Sequence, residues 1–521
     1  MADATARRRS RRARLREDRG SGPEQIAWRQ VTNPHPPMTP LSEEQIEDVH
    51  DKSMEILEDH GIEVVSETAR DLYRAVGGIV DDETGIVRVG REAVMEVIGR
   101  APSTFTLTPR NPDHALEFGR NCVNFGMASG APNVHDRING RRAGNFEDYK
   151  KLVSLGQHFN VVDFFGNQTL APIEMPPNNR HLDTYRANLE LTDKVFSAVS
   201  IGSGRTRDAV EMVALARGLT LEEMVESPSV FTNINVNSPR KLDVEMADGA
   251  MQMAALGQAT IVTPFTLMGA MTPVTLAAAF AQQNAEALFG LMLPQMIRPG
   301  APVVYGGFTS NVDLRSGAPA FGTPENAKAN LVGGQLARRY DLPYRTSACN
   351  ASNCVDAQAV YETQMALWSA VMGHGNVIYH AAGWLEGGLI ASFEKFIIDV
   401  EMLQAMEEIL KPIDLSKPEF GMDAIADVDP GGHFFGTAHT LERYQSAFYE
   451  PLVSDWQNHE NWEAAGAKDA TERATAIWQD ILENFEPPAL DESRLEAIDA
   501  FIEKRRPEIG EEDPVSPIEL V

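Results

Sequence analysis

Two rhythms of apolar residues alternate along the chain. Short runs rich in Val, Ile and aromatics recur as CVNFG (122–126), VVDFFGNQ (161–168), KVFSAVSIG (194–202), VFTNINV (230–236), ATIVTPF (259–265), PVVYGG (302–307), PYRTSA (343–348) and NVIYHAAG (376–383). Segments of helical period follow each in turn, near 147–160, 180–192, 206–217, 240–256, 273–297, 324–340, 356–373 and 392–410. In the last of these, Phe393, Phe396, Ile397, Val400, Leu403 and Ile409 share a face, while Glu394, Lys395 and Glu401 turn away from it. Strands and helices alternating in this way imply a parallel sheet covered on both faces. Eight such units predict an α/β fold of the (β/α)8 TIM-barrel type over 122–410. An open doubly wound sheet is the alternative, but no G-x-G-x-x-G turn follows the first strands.

The flanks read differently. Residues 1–38 are rich in Arg, Gly and Pro and predict a disordered basic tail. Residues 39–121 predict an N-terminal cap of short helices and strands. It opens with a capping box, Ser42 and Gln45, and its first helix, with Ile46, Val49, Ser53, Ile56 and Leu57 on one face, stops at Gly61. Residues 411–521 predict an acidic C-terminal extension, loops and helices packed on the barrel.

Charge narrows the function. The 521 residues carry a formal −29, but residues 1–20 contribute +5, which leaves −34 on the rest. So acidic a body repels phosphate backbones, and a nucleic-acid enzyme is not expected. No apolar stretch follows the basic head, so an export signal is not expected either. No run reaches the ~18 apolar residues of a membrane span. Three cysteines suit a reducing, cytoplasmic setting rather than a disulfide framework. The composition leaves self-association open.

In a barrel of this type the chemistry lies at the C-terminal strand ends. Here those positions hold Phe125, Phe165, Asn167, Gln168, Asn233, Asn235, Asn237, Phe265, Tyr305, Phe308, Cys349, Tyr379, His380, Trp384 and Glu386. Aromatics and amides with little charge suit an apolar or quaternary-ammonium ligand, which binds ring faces. Cys349 and Cys354 are compatible with three roles: metal ligand, nucleophile or pocket wall. The C-x4-C interval lacks an H-x3–5-H companion, and a nucleophilic Cys349 would need a base such as His380. Arg345 shares a strand side with Cys349, and Asp163 on the second strand is its candidate ion-pair partner.

The motifs YGGFTSNVDLRSGAPAFGTPE, VDAQAVYE, NVIYHAAGWLEGGLIASFEKFIID, NWEAAGAKDA and NAEALFGLMLPQMIRPGAPVVYG together resemble the trimethylamine methyltransferase family, nearly throughout from residue 40 onward. The resemblance implies the same barrel and a methyl transfer from a methylated amine to the cobalt of a separate corrinoid protein. Cobalamin would then be carried by that partner, with no cofactor or metal held by this chain. Archaeal family members carry pyrrolysine at the position that aligns with Cys349. Its absence points to the pyrrolysine-lacking branch, some of whose members demethylate glycine betaine.

Chemistry agrees with that branch. A quaternary nitrogen loses a methyl and departs as a neutral tertiary amine, so no general acid is needed there. The expected acting residues are Glu386, His380 and Cys349. The expected substrate wall is Phe125, Phe165, Gln168, Asn235, Tyr305, Phe308, Tyr379 and Trp384. The asparagines near 233–237, Gln168 and His380 are candidate donors to a betaine carboxylate. The remaining alternatives are a trimethylamine-specific enzyme, a barrel enzyme independent of corrinoid, and a betaine-binding protein.

Overall fold

A computed structural model describes residues 25–166 and 168–509. All eight expected strands form: β1 (Cys122–Met127), β2 (Phe164–Phe165), β3 (Val195–Ala198), β4 (Phe231–Ile234), β5 (Ala259–Val262), β6 (Val303–Gly306), β7 (Tyr344–Ser347) and β8 (Val377–Ala382). They pair in parallel in chain order, and β8 returns to β1 with Ile378 opposite Phe125. That closure removes the sheet edges and excludes the open doubly wound alternative. Helices α1 (Phe146–His158), α2 (Arg180–Leu191), α3 (Ser203–Arg217), α4 (Val244–Ala255), α5 (Leu276–Ile297), α6 (Pro324–Arg339), α7 (Ala357–Met372) and α8 (Phe393–Ile409) each follow their strand.

Two apolar layers hold the barrel. Inside it, Phe164, Phe231 and Tyr379 meet edge to face from three different strands, with centroids 5.0–6.1 Å apart. Gly126 makes room for this: a Cβ there would lie 2.2 Å from the Phe164 ring. A hairpin, Thr104–Leu107 against Leu116–Gly119, closes the floor with Leu107, Leu116 and Phe118. Outside, Phe125, Met127 and Phe165 pack under Leu152, Val153 and Phe396 of the helices.

The flanks locate the mouth by leaving it uncovered. Residues 25–38, read from the sequence as part of the tail, are bound to the barrel. Val31–Thr32 pairs with Val123 and Cys122 of β1, and Asn33 Nδ2 donates to the Val371 carbonyl at 2.9 Å. Burial of Val31 and partial burial of Trp28 outweigh the polar composition around them. The rest of the expected tail, 1–24, lies outside the described residues. The cap begins with the expected capping box at Ser42 and rests on α5, where Tyr73 stacks on Phe289 at 4.2 Å. Helices α9 (Ala470–Glu483) and α10 (Glu492–Ile509) rest on the barrel helices. Thr475 and Trp478 both donate to Glu394 at 2.9 Å, and Arg505 Nε donates to Asp208 at 2.8 Å.

The strand–helix loops build two small sheets around the mouth. One joins Phe265–Met268, Phe308–Val312 and Pro319–Ala320. The other joins Trp384–Leu385, Ile390–Ser392, Asn133–Asp136 and Gly140–Ala143. Among the described residues no helix is long and apolar enough to cross a membrane.

Candidate functional site

β8 carries an irregularity that builds the site. Ile378 faces Phe125 and Ala382 faces Met127, so β8 takes four steps where β1 takes two. His380 sits inside this bulge with a left-handed φ of 59°, a conformation that costs a non-glycine residue about 1–2 kcal/mol. In a regular strand Tyr379 and His380 would face opposite sides; a bulge re-aims side chains, and here both turn inward. The His380 ring comes to 4.0 Å from Trp384 and 5.5 Å from Phe308, centroid to centroid. Its Nδ1 lies 3.5 Å from Cys349 Sγ.

Both members of that pair are neutral. Burial holds the His380 imidazole well below its ordinary range, with Arg345 adding to the effect. Burial also pushes the Cys349 thiol up to about 12. A nucleophilic cysteine requires the thiolate, which this burial disfavours.

Aromatic rings form the rest of the mouth. Phe308 lies 4.9 Å from Phe265 and 5.2 Å from Phe321, and Trp384 lies 6.4 Å from both Phe308 and Phe321. Phe265 and Phe308 keep partial exposure, so the ring faces open outward. A buried polar network pins Trp384. Its indole N–H donates to the Asn350 carbonyl at 3.2 Å, and Asn350 Nδ2 donates to the Trp384 carbonyl at 2.6 Å and to Thr363 at 3.1 Å. Lys395 donates to Thr363 at 3.0 Å and pairs with Asp399, whose second oxygen accepts the Gly383 N–H at 2.8 Å.

Arg345 lies beneath these rings and is 2% exposed. Its guanidinium carbon sits 4.6 Å from the Tyr379 ring centre and 5.1 Å from that of Phe308. Among the described residues no carboxylate pairs with it. Nη1 reaches the Gly307 carbonyl only at 3.4 Å, and Nε has no partner. Ser347 Oγ and Tyr379 Oη, on the same two strands, are also buried without partners. Burial lowers the guanidinium to about 10, so it remains a cation at neutral pH. The expected ion pair with Asp163 does not form. Asp163 instead accepts the Phe125 backbone N–H at 2.7 Å, and its charge neighbours are Lys194 and Glu407. Lys194 is itself solvated by the carbonyls of Gly156, Phe159 and Val162.

Of the residues expected at the site, Cys349, His380, Tyr379, Phe308 and Trp384 converge. Phe125, Phe165 and Tyr305 do not: strand alternation turns them outward, and the inward places go to Gly126, Phe164 and Val304. The Tyr305 hydroxyl instead donates to Asn284 of α5 at 2.9 Å. Glu386 is held by Arg141 at 2.9 Å in the loop beyond Trp384. Asn235 accepts from Asn233 at 3.4 Å, and Asn237 donates to Asp243 at 2.6 Å. Gln168 is buried, and Asn167 lies outside the described residues. Sequence reasoning placed Arg345 in an ion pair with Asp163 and so missed its position against the Tyr379 and Phe308 rings. Phe321 was missed because it follows the short strand Pro319–Ala320 of a loop sheet and not a strand of the barrel, although the motif GAPAFGTPE carried it.

Relatives with known names match this chain along most of its length. The chain is 35% identical over 473 residues to a glycine betaine methyltransferase of Desulfitobacterium hafniense, covering 91% of this chain and 98% of that protein. It is 27% identical to the trimethylamine methyltransferase MttB of the same species, covering 90% and 94% of the two chains. The solved monomethylamine methyltransferase of Methanosarcina barkeri overlays with a TM-score of 0.44 at 10% identity, covering 93% of this chain and 99% of that one. The profile described as "Trimethylamine methyltransferase (MTTB)" matches residues 7–510. The chain belongs to the trimethylamine methyltransferase family.

Proposed function

We propose that this protein takes a methyl group from a small quaternary ammonium carboxylate of the glycine betaine class and delivers it to a corrinoid carried by a separate protein. One observation carries the substrate class: a buried Arg345 without a carboxylate partner lies directly under a ring cluster that opens outward. An uncompensated buried cation is costly, and a substrate carboxylate would relieve it. The unpartnered Ser347 Oγ and Tyr379 Oη offer further hydrogen bonds to the same group. The ammonium end would then lie against Phe265, Phe308, Phe321 and Trp384, whose faces attract cations. Similarity to a glycine betaine methyltransferase over almost the whole chain supports the reading.

The donor set of the chain fits a cofactor brought from outside. The mouth offers rings, a neutral thiol and a neutral imidazole, and the carboxylate of Glu386 in the loop beyond Trp384 is bound to Arg141. The corrinoid would supply the nucleophile that accepts the methyl carbon, while the electron pair of the broken C–N bond stays on nitrogen. The chain's residues orient and desolvate. Arg345 fixes the carboxylate end, the rings hold the cation without a counter-charge, and one N-methyl is left pointing out of the mouth. Positive charge on nitrogen fades as the bond breaks, so moderate ring contacts serve the transition state better than a carboxylate would. No proton needs to move at nitrogen, which agrees with a neutral His380 and Cys349.

The test mixes purified protein with its corrinoid partner in the reduced state and a panel of N-methyl compounds, and follows the corrinoid absorbance. Glycine betaine or a close carboxylated relative is expected to react and trimethylamine is not. Reaction of trimethylamine alone would overturn the proposal, as would betaine demethylation with no corrinoid present.

A further inference from the structure

Lys395 and Asp399 form an ion pair on α8 with side chains 0% and 1% exposed. Taking two charges out of water is costly, and apolar replacements of similar volume are often neutral or stabilising. Stability alone therefore gives little reason for such a pair, but its other contacts do. Asp399 accepts the Gly383 N–H at 2.8 Å, and the Gly383 carbonyl accepts the N–H of Ser392, the cap of α8, at 2.9 Å. Gly383 has a φ of 89°, a conformation that glycine enters freely and does not hold by itself. The residue that follows it is Trp384. Lys395 reaches the same tryptophan by a second route. Its ammonium donates to Thr363 Oγ1 at 3.0 Å, and that oxygen also accepts from Asn350 Nδ2 at 3.1 Å. Asn350 Nδ2 donates in turn to the Trp384 carbonyl at 2.6 Å, while the Asn350 carbonyl accepts the indole N–H at 3.2 Å. Two chains of hydrogen bonds thus leave one ion pair and meet at one side chain of the ring cluster.

We infer that the Lys395–Asp399 pair is a positioning element of the site, fixing the plane of Trp384 over the mouth. This rests on the proposed function only for what the indole faces, the ammonium end of the substrate. Neither ion is exposed, so neither is a catalytic residue. The pair is not needed to seat the helix, because Phe393, Phe396 and Val400 already pack α8 into the apolar core. Apolar packing tolerates some rotation of a ring, whereas hydrogen bonds weaken steeply when their angles change. Gly388 adds a close backing, since a Cβ there would lie 2.5 Å from the indole ring. An indole set at the wrong tilt would leave the N-methyl off the line along which it is taken, and a 1 Å misplacement can cost about 100-fold in rate.

The test is a mutant cycle in the full chain. The variant Lys395→Met, Asp399→Leu replaces both ions by apolar groups and is expected to keep the wild-type denaturant midpoint. The fluorescence of Trp384 is read as the difference between each protein and its Trp384→Leu counterpart. Acrylamide should quench that difference more strongly in the double variant than in wild type. With reduced corrinoid partner and saturating methylated amine, kcat should fall roughly tenfold or more. In a Trp384→Leu background the same double change should alter kcat by less than about threefold, because residues acting through one another are not additive. A merely structural pair would give the same loss in both backgrounds. Thr363→Val cuts only the Lys395 route, is expected to show the same non-additivity, and decides the matter if the double variant does not fold. An unchanged Trp384 signal overturns the inference, as does a full loss of kcat in the Trp384→Leu background. A wild type that demethylates no carboxylated amine overturns the proposed function instead, and the quenching comparison still decides what positions Trp384.

Discussion

Cys349 Sγ lies 3.5 Å from His380 Nδ1 in a site where burial keeps both groups uncharged. The contact has the spacing of a nucleophile and its base but the electrostatics of a packed wall, because deep burial penalises thiolate and imidazolium alike. Cys349→Ser is therefore expected to retain turnover within about threefold, since a thiol held protonated is not the attacking group. Alkylation by iodoacetamide at pH 8, read by mass spectrometry, should modify the exposed Cys354 and spare Cys349. Rapid labelling of Cys349, or loss of turnover in the Ser variant beyond a hundredfold, would restore it as a nucleophile.

The lowered imidazole also sets a pH dependence. In the unfolded chain His380 protonates below about pH 6.5, whereas in the native protein it stays neutral to much lower pH. The unfolded state binds more protons in that window, so stability falls as pH drops below 6.5. Denaturant midpoints measured from pH 7.5 down to 5 should decline, and His380→Asn should flatten part of that decline. An identical slope in both proteins would show that His380 does not contribute.

Arg345 predicts effects of opposite sign on binding and on stability. Removing one partner of a desolvated charge pair costs ~2–5 kcal/mol of binding, so Arg345→Met should raise the KM for a betaine by about 30-fold or more. In the substrate-free protein the same change removes an uncompensated buried cation. Its melting temperature should match or exceed that of the wild type, because hydrophobic replacements of buried charge are often neutral or stabilising. A variant that melts well below wild type while its KM is unchanged would make Arg345 a structural group only.

Phe308 and Trp384 should discriminate charge rather than size. Cation–π contacts of desolvated rings are worth about 1–2 kcal/mol each, so Phe308→Leu or Trp384→Leu should weaken betaine binding roughly 5- to 30-fold. Binding of its isostere 3,3-dimethylbutanoate, which keeps the carboxylate but has a neutral carbon in place of the ammonium nitrogen, should change far less in the same variants. Equal losses for the two ligands, measured by calorimetry, would argue for packing alone.

Asp248 on α4 offers a stability gain away from the mouth. It is 5% exposed, and burial pushes its carboxyl up to about 6, with Glu245 adding to the effect. The unfolded chain ionises near 3.9, so the native state binds the extra proton between pH 4 and 6 and stability is lost as pH rises through that window. Asp248→Asn should gain on the order of 2 kcal/mol at pH 7 and almost nothing at pH 4. Urea titrations at the two pH values test this, and an equal shift at both would exclude ionisation as the cause.

The barrel itself was legible because its signals are local. Eight apolar runs and eight amphipathic segments each declare themselves within about ten residues, and burial on both strand faces leaves few other ways to pack them. The site was legible only in part. Cys349, His380, Phe308, Tyr379 and Trp384 were found from their place at strand ends, while Phe125, Phe165 and Tyr305 sit at equivalent places and face the helices instead. Side-chain facing follows a period of two, so one residue of uncertainty in register exchanges inside for outside.

Composition and periodicity along the chain thus carry the (β/α)8 plan, the order of its parts and the aromatic character of its mouth, because those follow from short-range pattern. The inward turn of His380 depends on a bulge against β1, more than 250 residues away in the chain. That Arg345 meets no carboxylate among the described residues depends on Asp163 being engaged elsewhere. Both are set by which strands meet and in what register, a property of long-range contact that no window of neighbouring residues contains.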